Sequence, residues 1–158
     1  MAPRYPQTIL VSCEIPWNEK YELMEETFRE QIRTTLENGF NHLYIFGTAG
    51  EGYAVTTSQF QHIIRVFKEE TDHDGVYPMV GVIAMSTPQV VERISLAHDA
   101  GFRTFQICLP PWGELDDSEV ISSDFTGLKN LPSLIDRSGL YNLTSLNCLN
   151  SQISSKTS

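Results

Sequence analysis

The chain has few basic residues, few cysteines and no long hydrophobic run. Eleven Lys and Arg stand against 20 Asp and Glu, giving a net charge of -9, which argues against nucleic acid or an anionic membrane as a partner. Its 3 cysteines form no CxxC pair and have no His at ligand spacing, which excludes a disulfide framework and a zinc site. The apolar stretch from Ile9 to Ser12 is too short for a signal peptide or a membrane span. We therefore predict a cytoplasmic protein without a bound metal.

The apolar residues, 41% of the 158, are arranged as alternating strand-like and helix-like segments. Continuous apolar runs of strand length are expected where helices cover both faces of a parallel sheet. This alternation predicts repeated βα units in an α/β fold. The predicted strands are Thr8 to Cys13, His42 to Phe46, Tyr77 to Ile83 and Thr104 to Leu109.

Three helices are predicted between these strands. In the first, Met24, Phe28, Ile32 and Leu36 recur every four residues, and Asn38 with Gly39 supplies a left-handed stop. The second is predicted to begin at Thr57 or Ser58 and to bury Phe60, Ile63, Ile64 and Phe67. The third has Thr87 as its predicted N-cap, Pro88 at the first helical position and Gly101 as its terminator.

Right-handed β-α-β crossovers would place these strands in a curved parallel sheet with the helices outside. An open flavodoxin-like sheet is the alternative geometry. From Ser122 onward no periodicity persists, and Ser, Asn, Leu and Thr dominate. We therefore divide the chain into an organised domain, residues 1–121, and a tail, residues 122–158, expected to be poorly ordered.

The most informative stretch is "YIFGTAGEGYAVTTSQF", in which a strand runs through a glycine-rich loop into a capped helix. Loops at the carboxyl ends of parallel strands build the sites of α/β barrels. Gly47, Gly50 and Gly52 are expected to let the backbone turn sharply and expose N–H groups that can hold a carboxylate or a phosphate, and Thr48 adds a hydroxyl. A tight turn without a ligand is the structural alternative.

This stretch resembles the signature of the dihydrodipicolinate synthase and N-acetylneuraminate lyase family, class I aldolases on a TIM barrel. Two further segments, "VGVIAMSTPQVVERISLAHDAGF" and "ICLPPWGELDDSEV", resemble the family's third and fourth βα units. The resemblance covers roughly Thr8 to Val120 in family order. It implies a partial (β/α)8 barrel of about four N-terminal βα units, followed by the irregular tail.

The resemblance also implies roles for the loop. Gly47, Thr48, Ala49, Gly50 and Glu51 would bind the carboxylate of a keto acid such as pyruvate, with Thr48 as the proton-relay hydroxyl. Ala49 stands where the family usually has a second Thr, so one side-chain hydrogen bond to that carboxylate would be missing. The relay tyrosine is also absent, because the chain continues with Trp112 and Gly113. The family's imine chemistry implies no cofactor.

The family's Schiff-base lysine belongs to a sixth strand, whereas this chain is expected to stop after four. "TGLKN" around Lys129 resembles a family motif but lacks an apolar strand before it, so Lys129 is expected to be a solvated loop lysine rather than the nucleophile. The acidic residues Glu14, Glu19, Glu22, Glu25 and Glu26, before and in the first helix, are expected to form a solvated face.

Three functions remain open. The resemblance implies a lyase or aldolase that cleaves or joins pyruvate and an aldehyde through a lysine imine. A truncated, catalytically incomplete half-barrel acting as an assembly partner is the second, and a small anion-binding module using only the loop is the third. Because a four-stranded piece of barrel would expose two sheet edges and its inner face, we expect self-association.

Overall fold

The structure, a computed structural model, describes residues 7–107. Within this range four strands alternate with three helices, each in the predicted place and each strand shorter than predicted. The end of the predicted fourth strand, Lys129, the Trp112–Gly113 step and the whole of the predicted tail lie outside the described residues. The elements are β1 (Leu10–Ser12), α1 (Glu25–Glu37), β2 (His42–Ile45), α2 (Thr57–Thr71), β3 (Tyr77–Gly81), α3 (Thr87–Asp99) and β4 (Phe105–Gln106).

The four strands form one parallel sheet in the order β1-β2-β3-β4. Leu10 pairs with His42, His42 with Tyr77, and Val80 with Phe105. A doubly wound, flavodoxin-like sheet reverses its strand order at a switch point. No such reversal occurs between residues 7 and 107, so the sequential order favours the curved sheet of a barrel.

One face of the sheet carries the core. Successive side chains of a strand point to opposite faces, and those of Leu43 and Ile45 of β2 and of Val80 of β3 point toward the helices. All three are fully buried because the helices cover this face. The helices contribute their predicted apolar faces, including Phe28 and Ile32 of α1 and Phe60, Ile63, Ile64 and Phe67 of α2. Burying large side chains of this kind contributes about 1.5–3 kcal/mol each.

The helix ends agree with the sequence at their carboxyl termini and differ at two amino termini. Gly39 and Gly101 have φ values of +85° and +98°, the left-handed conformation predicted for both stops. Met24 was expected on the apolar face of α1, but it is the N-cap residue and is 44% exposed. The N-cap of α3 is Ser86, with extended backbone, so Thr87 is the first helical residue and its prediction as N-cap was wrong by one position.

Helices α1 and α2 are joined on their outer side by charged side chains. Arg29 Nη1 lies 2.8 Å from Glu70 Oε1, and Arg33 Nε donates to Glu70 Oε2 at 2.7 Å. Glu25 accepts from Arg29 at 2.7 Å and lies 2.9 Å from His62 Nε2. The hydrogen bonds from Arg33, and then from Arg29, hold the pKa of Glu70 below its ordinary value. Glu25 thus belongs to an interhelix contact rather than to a merely solvated face.

The inner face of the sheet, which points away from the helices, is not bare. Tyr44 of β2 and Met79 of β3 are neighbours in the register on this face, and Tyr44 is 9% exposed while Met79 is fully buried. The expectation of an uncovered inner face is therefore wrong at these positions. Tyr77, nearer the amino end of β3, is 53% exposed.

Candidate functional site

The glycine-rich loop follows β2 at the carboxyl edge of the sheet and is anchored by a backbone carbonyl. Phe46 has a φ of +61°, which is uncommon for an aromatic residue. A Cβ added at Gly52 would lie 2.5 Å from the Phe46 carbonyl oxygen, and a Cβ at Gly81 would also collide with that oxygen. These two glycines therefore let the loop and β3 close around the Phe46 carbonyl.

Two other loop glycines make room for side chains. A Cβ at Gly47 would lie 2.8 Å from Tyr44 Cε1, so the tyrosine ring needs the absence of a side chain there. A Cβ at Gly50 would lie 3.0 Å from Glu14 Oε2. None of the loop glycines has a positive φ, and Glu51, at +51°, is the loop residue that does. The expected reason for the glycines, freedom to turn, is thus wrong, and close approach explains them instead.

The loop divides its backbone N–H groups into two sets. Glu51 and Gly52 donate to the carbonyl oxygens of Thr48 and Gly47, at 3.2 and 3.3 Å, and so close the turn. The N–H groups of Thr48, Ala49 and Gly50 donate to no acceptor within residues 7–107, and neither does the Thr48 hydroxyl. Thr48 and Ala49 are exposed, whereas Gly50 is buried. Of the predicted residues, Thr48, Ala49 and Gly50 therefore present three consecutive N–H donors at the carboxyl edge of the sheet, whereas the Glu51 N–H is used within the turn.

Arg93 of α3, which the sequence analysis did not single out, joins the loop to the end of β3. Its guanidinium donates to the carbonyl oxygens of Gly52 at 2.5 Å, Val55 at 2.9 Å and Ile83. Arg93 is 7% exposed, and burial lowers its pKa. The guanidinium also lies 5.3 Å from the centroid of the Phe60 ring. The Arg93 side chain thus connects Gly52 and Val55 of the loop with Ile83, which follows β3.

The end of the loop is fixed by the start of α2. Thr56 and Gln59 form a capping box, with the Thr56 side chain accepting from the Gln59 N–H and the Gln59 side chain accepting from the Thr56 N–H. Gln59 Nε2 also donates to the Tyr21 carbonyl oxygen at 3.1 Å. The connection between β1 and α1 is thereby held beside the loop that follows β2.

Glu14, which was expected on a solvated face with the other acids before and in the first helix, lies beside the loop. The Cys13 N–H donates to the Tyr44 carbonyl at 2.8 Å, so the ladder between β1 and β2 continues past Ser12. Ser12 Oγ donates to Glu14 Oε1 at 2.7 Å, which places both side chains on the same face. The other carboxylate oxygen is the atom that a Cβ on Gly50 would approach.

Two further polar groups face away from the solvent near this edge. Gln106 of β4 pairs in register with Gly81 and is 6% exposed, and its Oε1 has no hydrogen-bond partner among residues 7–107. Its neighbour Phe105 packs in the core, so alternation places Gln106 on the inner face. Cys13 is different, because its side chain belongs to the core and burial raises the pKa of its thiol to about 12.

Among residues 7–107, no three His, Cys, Asp or Glu side chains gather as ligands for a metal ion. In the same range, no helix has both the length and the apolar character needed to cross a bilayer.

Comparison with known proteins decides the family. The model of the Dihydrodipicolinate synthetase family matches residues 5–122. The chain belongs to this family. An uncharacterized DapA-like lyase of Pyrococcus abyssi is 27% identical over 113 residues, which are 72% of this chain and 37% of the archaeal protein. A 4-hydroxy-tetrahydrodipicolinate synthase of Methanosphaera stadtmanae is 23% identical over 108 residues, 68% of this chain and 36% of that protein.

The fold of this dihydrodipicolinate synthetase family member also has solved counterparts. N-acetylneuraminate lyase from Fusobacterium nucleatum, in its complex with pyruvate, is similar with a TM-score of 0.69 and 22% sequence identity. The match covers 77% of this chain and 40% of the lyase. The chain thus spans about two fifths of the length of the relatives it matches. The α/β fold is part of a TIM barrel, as the sequence resemblance predicted.

Proposed function

We propose that the loop after β2 binds the carboxylate of a 2-oxo acid such as pyruvate, and that the protein serves a lyase or aldolase reaction of this acid. The observation that carries the proposal is the run of N–H groups at Thr48, Ala49 and Gly50, which donate to no acceptor within residues 7–107. Successive backbone N–H groups are suitable donors for an anion. Family membership and the pyruvate complex of the Fusobacterium lyase support the choice of a keto acid.

Within this site Thr48 supplies the hydroxyl and the glycines supply the shape. The Thr48 side chain is exposed and makes no hydrogen bond within the described residues, so it is available to a ligand or to a proton transfer. Ala49 offers a methyl group where a second hydroxyl is usual in the family, so the backbone must hold the carboxylate. Arg93 keeps the loop in place without a direct role in binding.

The test is a titration of the ¹⁵N-labelled full chain with pyruvate, followed by amide chemical shifts. We expect the amides of Thr48, Ala49 and Gly50 to shift, while that of Gly75, in the turn before β3 at the opposite edge of the sheet, stays unchanged. Sodium acetate at equal ionic strength controls for a bare carboxylate. Shifts that avoid the three loop amides would contradict the proposal.

A second measurement separates the imine chemistry from simple anion binding. The chain is incubated with pyruvate and borohydride, and its mass is determined and mapped. A reduced pyruvyl adduct would support the aldolase function and identify the lysine, with Lys129 as the tested site. Binding at the loop without an adduct would favour the small anion-binding module. The predicted cytoplasmic location and self-association stay predictions, the latter open to sedimentation velocity.

A further inference from the structure

Glu14 is the charged side chain beside the loop that the proposed function leaves unused. Its Oε1 accepts from Ser12 Oγ at 2.7 Å, and its Oε2 accepts from no donor within residues 7–107. That free oxygen lies against Gly50, 3.0 Å from the position a Cβ would take. Glu14 is half-buried, so water screens its charge only in part.

The site therefore combines donors and an acceptor within a short distance. The N–H groups of Thr48, Ala49 and Gly50 favour a ligand carboxylate, whereas an ionised Glu14 beside Gly50 repels one. Two carboxylates can share such a site when a hydrogen-bond donor stands between them. A hydroxyl group on the ligand, next to its carboxylate end, would supply that donor and use the free Oε2.

We propose that Glu14 is the specificity-determining residue of this site, and that it selects a 2-oxo acid carrying a hydroxyl group over pyruvate itself. The inference rests on the proposed function, since it takes the loop as the carboxylate site. Glu14 accepts the hydrogen bond of the ligand hydroxyl through Oε2, while Ser12 holds Oε1 and fixes the orientation of the carboxylate. A 2-oxo acid without a hydroxyl leaves Glu14 Oε2 without a hydrogen bond, and the negative charge of Glu14 repels its carboxylate.

The experiment compares pyruvate with 3-hydroxypyruvate, which differs by one hydroxyl. Dissociation constants for both acids are measured on the full chain by calorimetry or by the loop amide shifts. We expect the wild-type chain to bind 3-hydroxypyruvate about tenfold more tightly, the size of one hydrogen bond to a charged group. In Glu14→Ala this preference should fall to about one, because the acceptor is gone.

Two further variants separate charge from structure. Glu14→Gln keeps the shape and removes the charge, so pyruvate should bind roughly tenfold more tightly while 3-hydroxypyruvate changes little. Glu19→Gln removes the same charge from an exposed position on the same connection and should leave both constants unchanged. Circular dichroism confirms that each variant is folded.

The outcomes distinguish this inference from the proposed function. Unchanged preference in both Glu14 variants, or equal binding of the two acids by the wild-type chain, overturns the role of Glu14 while leaving the carboxylate site intact. Failure of the wild-type chain to bind either acid at the loop overturns the proposed function and, with it, the inference. A lower preference in Glu14→Gln but not in Glu19→Gln supports it.

Discussion

Replacing Arg93 by Met should loosen the loop after β2 and destabilise the fold. The guanidinium donates to the carbonyl oxygens of Gly52, Val55 and Ile83 from a buried position. Hydrogen bonds from a charged donor contribute about 1.5–3 kcal/mol each, but the cost of burying the charge offsets part of their sum. Methionine keeps an unbranched side chain but removes the guanidinium and its contact with the Phe60 ring. We therefore expect the free energy of unfolding to fall by about 2–4 kcal/mol.

Urea unfolding of the full chain measures this change, with Arg65→Met as the matched control. Arg65 is exposed on α2, and its ion pair with Glu69 is long, at 3.8 Å. Such a surface pair contributes below about 1 kcal/mol, so the control should unfold nearly as the wild type does. Relative to the wild type, Arg93→Met should accelerate amide exchange more at Glu51, Gly52 and Ala54, whose N–H groups close the loop, than in α1. Equal unfolding of the two variants would refute the argued role of Arg93.

Two substitutions and one chemical modification test other parts of the structure. Gly81→Ala places a Cβ against the Phe46 carbonyl oxygen and should destabilise the chain by about 1–3 kcal/mol in urea, a wild-type midpoint being the contrary result. Glu70 has a lowered folded pKa, so the stability it contributes is present above its ordinary value of 4.5 and is lost as pH falls through the lower value. Glu70→Gln should therefore have a lower free energy of unfolding than the wild type near neutral pH and should lose less of it as the pH falls. Parallel plots of unfolding free energy against pH for the two chains would contradict this. Burial in the folded chain raises the pKa of the Cys13 thiol from 9.0 to about 12. Alkylation of Cys13 at pH 8, mapped by mass spectrometry, should therefore be about a thousandfold slower in the folded chain than in the unfolded chain. Similar rates in the two states would rule out the burial of Cys13.

Much of the fold was readable from the sequence because it depends on periodic burial. The apolar runs predicted the four strands, and the four-residue repeat of Phe28 and Ile32 predicted the buried face of α1. Gly39 and Gly101 predicted two helix ends, because few residues other than glycine adopt positive φ readily. The N-cap of α3 was misassigned because Ser86 and Thr87 are both suitable caps, and only the backbone distinguishes them.

The candidate site was predictable in position but not in detail. The loop was found from its glycines, yet Gly47 makes room for the ring of Tyr44, three residues earlier, and Gly50 makes room for Glu14. Glu14 comes from another segment of the chain, so no local pattern reveals its approach. Glu14 was grouped with acids of similar sequence position, although the continued ladder past β1 carries it to the loop.

Arg93 offered a stronger sequence clue. Arg93 follows Val90 by three residues and precedes Ala97 by four, which places it beside Ile94 on the apolar stripe of α3. A charged residue on such a stripe predicts buried acceptors, and the carbonyls at the loop end are those acceptors.

In many binding loops the same residues hold the loop in place and contact the ligand. Here the loop is held at the Phe46 carbonyl, which Gly52 and Gly81 enclose. The attachment of the loop depends on the glycines that enclose the Phe46 carbonyl and on the Arg93 guanidinium, which donates to main-chain carbonyls. The side chains of Thr48 and Ala49 take no part in that attachment and are exposed to solvent. Substitutions at these two positions can therefore change what the loop binds while its position on the sheet is preserved. Within one scaffold, this arrangement lets ligand preference evolve at small cost to folding.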